Sequence, residues 1–155
     1  MFYDAIAPYY DLLVGDEDAR RRWVSFTLAH ASGNCLLDLA CGSGDVTIAL
    51  SQYFEEVRGC DLSAEMIKRA KAKPHAERVK FFVEDMGELK DQNQYDVITC
   101  YCDSLNYITH EEKIIHLFQR VYQALTEHGT FLFDVHSLDR LTEFEEEFIE
   151  EGRCV

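Results

Sequence analysis

The feature that most constrains this chain is an alternation of two apolar patterns. Five short runs, CLLDL (35–39), VRGCD (57–61), VKFFVED (79–85), YDVITCY (95–101) and GTFLFDV (129–135), have the length and side-chain content of buried strands. Between them lie stretches with helical spacing: DVTIALSQYF, SAEMIKRAKAK and EEKIIHLFQRVYQAL. The last places Ile114, Ile115, Phe118, Val121, Tyr122 and Leu125 on one face at helical spacing. A further helix, about Asp16 to Ala31, precedes the first strand. Strands separated by helices require right-handed crossovers, so the pattern predicts a doubly wound α/β domain with a mainly parallel sheet. Continuous rather than alternating apolar strands agree, because such a sheet is covered on both faces.

Composition narrows the partners. The 155 residues suit a single domain with a real core, and 47% are hydrophobic. With 15 Lys and Arg against 29 Asp and Glu, the net charge is −14, which repels phosphate backbones and anionic lipid. Nucleic acid and membrane are therefore not the expected partners; the local basic clusters are Arg20 to Arg22 and Lys68 to Lys73. Six cysteines show neither CxxC nor His/Cys ligand spacing, and three lie in apolar strand runs. They read as reduced thiols of a cytoplasmic protein, and no metal site is expected. The first residues, MFYDAIAPYYD, lack the basic and apolar regions of a signal peptide. No apolar run approaches the ~20 residues of a membrane span.

In doubly wound folds ligands bind outside the carboxyl ends of the strands. Those ends carry a repeated acid: Asp38, Asp61, Asp85, Asp103 and Asp134. Some of these are expected simply to cap the next helix, as Ser63 or Asp45 could. The stretch LLDLACGSGD (36–45) is the most specific. Gly42 and Gly44 permit a turn against which a ligand can lie on bare backbone. The GxGxxG pattern of a dinucleotide site lacks its third glycine here, and Asp45 would repel a diphosphate. A nicotinamide dehydrogenase is thus the weaker reading. Asp61, ending the second strand, can accept two ribose hydroxyls. Asp85 can take an exocyclic amino group while Met86 packs on a base. The set describes an adenosine with a cationic amino-acid tail.

DLACGSGDVT, GCDLSAEMI, the VEDM step and YDVITCYCDSLNY together resemble the class I S-adenosylmethionine-dependent methyltransferases, in order and spacing across essentially the whole chain. YDAIAPYYDLL resembles their N-terminal cap helix; CDSLNYI and FDVHS are similar to small bacterial methyltransferases of unknown substrate. The resemblance implies a Rossmann-like sheet with an N-terminal helical cap. It places Asp38 and the loop Ala40, Cys41, Gly42 to Gly44 around the methionine portion of S-adenosyl-L-methionine. Alanine stands at position 40 where the family usually has glycine. Asp61 is implied at the ribose, Leu62 and Met66 beside the adenine, Asp85 at the adenine amino group and Met86 on the ring. Cys102 would line the methyl-donor pocket, and Tyr3, Tyr10 and Trp23 would close it from the cap.

Methyl transfer asks little of the protein beyond alignment and desolvation of the acceptor. A general base is required only for an acceptor that arrives protonated. Candidates are Tyr10, Asp103, Asn106, Tyr107 and His136. The expected organisation is a cap over 1–31, a Rossmann-like core over 32–136 and an acidic segment over 137–155. Strands six and seven, which usually follow in this superfamily, have no counterpart in LDRLTEFEEEFIEEGRCV. The chain reads as an amino-terminal portion, its fifth strand edge exposed to homodimer contact. The expected function is methyl transfer to an unidentified, small-molecule acceptor; the alternative is a cofactor-binding interaction module without turnover.

Overall fold

The computed structural model describes residues 17–137. They form α1 (Glu17–His30), β1 (Cys35–Leu39), α2 (Asp45–Leu50), β2 (Glu56–Asp61), α3 (Ala64–Ala72), β3 (Val79–Val83), β4 (Tyr95–Cys100), α4 (Glu111–Ala124) and β5 (Leu125–Phe133). Short 3-10 turns occur at Ala76–Arg78, Met86–Glu88 and Ser104–Tyr107. The sheet order is β3-β2-β1-β4-β5 and every neighbouring pair is parallel. This is the expected doubly wound α/β architecture. Its strand order reverses between β1 and β4, so a crevice opens where the loops after these two strands part.

Each sheet face has its own core. Leu37, Leu39, Cys60, Ile98 and Cys100 meet Leu117, Val121 and Ala124 of α4. On the other face Leu36, Val57, Phe81 and Val97 meet Leu50, Ile67 and Ala70 of α2 and α3. Alternation along the strands deals these residues out, because successive side chains point to opposite faces. Asp96 fastens the start of β1, accepting hydrogen bonds from the backbone N–H of Asn34 (2.8 Å) and Cys35 (3.1 Å). Those bonds hold its carboxyl below the usual carboxylate range.

Only part of the apolar face expected on α4 is buried. The buried stripe is Leu117, Val121 and Ala124, whereas Ile115, Phe118 and Tyr122 are exposed, Tyr122 by 81%. Both stripes have helical spacing, and the more aromatic one faces outward, where Phe118 meets Phe131 and Phe133 of β5 edge to face. α2 also ends earlier than its pattern, at Leu50, and β5 begins earlier, at Leu125, with an irregular register against β4 between Tyr95 and Val97.

Leu117→Ala should destabilise by about 2–5 kcal/mol through the cavity it opens, while Tyr122→Ser should change stability by less than about 0.5 kcal/mol. Urea unfolding of the two variants checks this; equal losses would contradict the assigned face.

Candidate functional site

The carboxyl ends of β1 and β2 are joined by one side chain. Asp61 closes β2, and its Oδ2 accepts from the backbone N–H of Gly42 at 2.9 Å. Its Oδ1 accepts from the N–H of Ser63 at 2.8 Å. Ser63 in turn caps α3, its hydroxyl accepting from the N–H of Met66. A carboxylate offers four lone pairs, so Asp61 retains accepting capacity at both oxygens while fixing the loop. The sequence suggested a ligand acid here; its second task, holding the glycine loop, left no sequence signal.

The loop itself is built from left-handed residues. Ala40, Gly42 and Gly44 have φ of 52°, 54° and 80°. Gly44 is required by packing, since a Cβ there would lie 2.7 Å from the Phe81 ring and 3.0 Å from Ala70. Ala40 tolerates the same backbone region at some strain. On the other side of the crevice Cys102 and Asp103 are also left-handed, with φ of 59° and 62°. Two adjacent strained non-glycine residues after β4 mark a segment whose conformation is imposed by its surroundings.

Asp38 lies one step inside. It is 3% exposed, and its oxygens accept from the hydroxyls of Thr47 on α2 and Thr99 on β4. Burial pushes its carboxyl up to about 6, against the pull of the two threonines. Its side chain is thus turned into the protein, behind the loop. Met66 is likewise interior, 1% exposed. Leu62 is 50% exposed and Asp85 is exposed, with Oδ1 capping its own turn through the N–H of Gly87 at 2.9 Å. Met86 packs partly into the core, its sulfur 4.0 Å from Cys100. Asp61, Leu62, Asp85, Met86 and the Ala40–Gly44 loop, with half-buried Cys41, therefore share the ends of β1 to β3.

Trp23 joins them from α1. Its ring stacks at 4.5 Å on Tyr101, the residue before Cys102. Thr27 supports this wall, donating to the Trp23 carbonyl at 2.8 Å and sharing a 2.7 Å hydrogen bond with the Tyr101 hydroxyl. Beyond Cys102, Asp103 Oδ2 sits 2.8 Å from His136 Nε2, and the Asp103 N–H donates to Asp134 Oδ2 at 2.9 Å. Burial and the neighbouring Asp103 raise the Asp134 carboxyl above its ordinary range. Asn106 Oδ1 accepts from the His136 N–H at 3.4 Å, and Tyr107 is 67% exposed on the adjoining turn. Tyr3 and Tyr10 lie outside the described residues. Among the described residues no cluster could hold a metal ion, and no helix is long and apolar enough to cross a membrane.

One expectation needs correction. Asp45, at the mouth of α2, is paired with Lys73 at 2.7 Å, so its charge does not bar a diphosphate as the sequence suggested. Lys73 lies 28 positions away, and no motif announced it.

Residues 36–129 match the family model described as a methyltransferase domain, and the chain belongs to that family. Two proteins named "Putative methyltransferase" are similar. One, from Geobacillus sp. (strain WCH70), is 37% identical over 88% of this chain and 58% of its own length. The other, from Bacillus subtilis (strain 168), is 35% identical over 92% and 59%. The crystal structure of an S-adenosylmethionine-dependent methyltransferase from Clostridium acetobutylicum ATCC 824 superposes with a TM-score of 0.77 at 30% identity, covering 93% of this chain and 61% of that one. The chain thus spans about three fifths of the length of these relatives.

Two variants probe the site's construction. Ala40→Gly should stabilise the fold by about 1 kcal/mol at most, by relieving the left-handed alanine. A loss of stability would show that the alanine methyl packs usefully. For Asp38, a folded pKa of about 6 against an ordinary 3.8 means that the folded state prefers the neutral acid. Its stabilising contribution is full below pH 4 and is lost as pH rises through 6. Relative to wild type, Asp38→Asn should therefore gain about 2 kcal/mol between pH 4 and pH 6. A stability difference that does not change with pH would contradict the buried carboxyl.

Proposed function

We propose that this chain binds S-adenosylmethionine at the carboxyl ends of β1 to β3 and serves methyl transfer to a small-molecule acceptor. The observation that carries the reading is the bond from Asp61 to the Gly42 N–H, which sets a ribose-type carboxylate beside a left-handed, nearly side-chain-free loop. The donor set fits that cofactor: accepting carboxylates at Asp61 and Asp85, an exposed apolar Leu62, and a lysine spent on Asp45 rather than presented to a phosphate. Membership of the methyltransferase family and the likeness to an S-adenosylmethionine-dependent enzyme support it.

When bound, the cofactor supplies a methyl group activated on a sulfonium. In this reading Asp61 accepts the ribose hydroxyls, Leu62 and Met86 flank the adenine, and Asp85 receives its amino group. The Ala40–Gly44 loop follows the amino-acid tail, with Asp38 holding the loop's foundation from behind. Trp23 and Cys102 wall the transfer position, which excludes water from the reacting pair. On the acceptor side Tyr107 and His136 are the candidates to take a proton, and Asp103 orients the imidazole of His136.

Two finer readings go with it. Reduced cysteines and the acidic charge suit a cytoplasmic protein without nucleic-acid partners. Among the described residues β5 is the last strand in the sheet order, and an edge left unpaired there, near Phe131 and Phe133, suits a two-fold contact between copies.

Calorimetric titration with S-adenosylhomocysteine and, separately, NAD tests the site. Wild type should bind the first and not the second, and Asp61→Ala should weaken binding by about 1.5–3 kcal/mol. Binding of NAD alone, or unchanged affinity in Asp61→Ala, would contradict the assignment.

A further inference from the structure

We infer that Lys73 is a positioning residue for the cofactor loop, locking the turn Gly42–Gly44 into its binding shape. The inference rests on the site proposed above. The local sequence explains how a lysine comes to stand there. Lys73 ends α3 and precedes Pro74, and a residue before proline is driven from the helical to the extended region. Its φ and ψ are accordingly −76° and 153°. The extended backbone carries the side chain off the helix, toward the neighbouring end of β1.

There it meets two loop residues at once. Nζ donates to Ser43 Oγ at 2.9 Å and to Asp45 Oδ2 at 2.7 Å, while Ser43 Oγ donates to the same carboxylate oxygen at 3.3 Å. Ser43 is the middle residue of the glycine turn and is buried; the Lys73 side chain is only 19% exposed. Asp45 is 42% exposed, so the ion pair by itself is worth little, but a charge-assisted contact that a mostly buried lysine also makes to buried Ser43, on a loop with two flexible glycines, restricts what that loop can sample. Asp61 grips the loop at Gly42 and Lys73 grips it at Ser43 and Asp45. One anchor closes β2 just before α3, and the other directly follows α3. Binding a ligand along such a loop then entails little further ordering, which is how preorganisation raises affinity.

The prediction is selective. Adenosine engages the ends of β2 and β3, whereas S-adenosylhomocysteine also lies along the glycine turn. Lys73→Met should therefore lower affinity for S-adenosylhomocysteine about tenfold and leave adenosine within about twofold of wild type. Lys73→Arg should recover part of the loss. Because Lys73→Met strands the Asp45 charge, Lys73→Met/Asp45→Asn removes both partners and should show the same selective loss with a wild-type thermal midpoint. Calorimetric titration of these variants of the 155-residue chain with both ligands, beside thermal unfolding, decides the matter. A wild-type chain that fails to bind S-adenosylhomocysteine overturns the site itself. With wild-type binding intact, unchanged affinity in the variants overturns the lock. A parallel loss for both ligands would show that Lys73 acts on global stability, and would overturn it equally.

Discussion

A single buried carboxylate organises the centre of this fold. Asp38 faces Thr99 across the β1–β4 pairing and reaches Thr47 at the start of α2. It sits at the place where strand order reverses and the crevice opens. A carboxylate without those hydroxyls would be severely penalised there. With them it fastens the two central strands and the first helix of the crossover into one unit. The loop Ala40–Gly44 leaves β1 from this fixed point, so its position follows from the same hydrogen bonds. Gly59 completes the arrangement: it is the β2 residue paired with Asp38, and a Cβ on it would press on Phe81 and on the Cys41 sulfur.

Around that centre the structure divides labour between the two sides of the crevice. On the β1–β2 side the strain of left-handed backbone is confined to a loop tied by Asp61 and Lys73. On the β4–β5 side Cys102 and Asp103 carry a similar conformation, tied by Asp134 and His136. The first side is made of groups suited to a polar ligand with a cationic end. The second gathers an imidazole, carboxylates and exposed aromatic surface, groups suited to accepting a proton or seating a varied partner. Trp23, stacked on Tyr101, stands between them.

Much of this was legible in the sequence because it is local. The five strands, the acids that end them and the Gly42–Gly44 turn are written in consecutive residues, and the parallel order follows from the alternation alone. What escaped is contact between distant positions. Lys73 with Asp45, Thr99 with Asp38 and His136 with Asp103 span 28, 61 and 33 positions, and none falls within a motif. Burial also escaped where two patterns compete. α4 carries two apolar stripes with the same period, and the choice between Leu117 and Phe118 depends on the sheet it packs against. Asp38 and Met66 belong to sequence stretches that point to a ligand, yet both side chains are interior, one as the loop's anchor and the other as packing.

The most direct test of the account is a crystal structure of this chain with S-adenosylhomocysteine. The account predicts the ribose hydroxyls on Asp61, the amino-acid tail along Ala40–Gly44 and the adenine between Leu62 and Met86, with Asp38 still bonded to Thr47 and Thr99. A ligand bound away from the carboxyl ends of β1 to β3, or an Asp61 carboxylate untouched by it, would contradict the account.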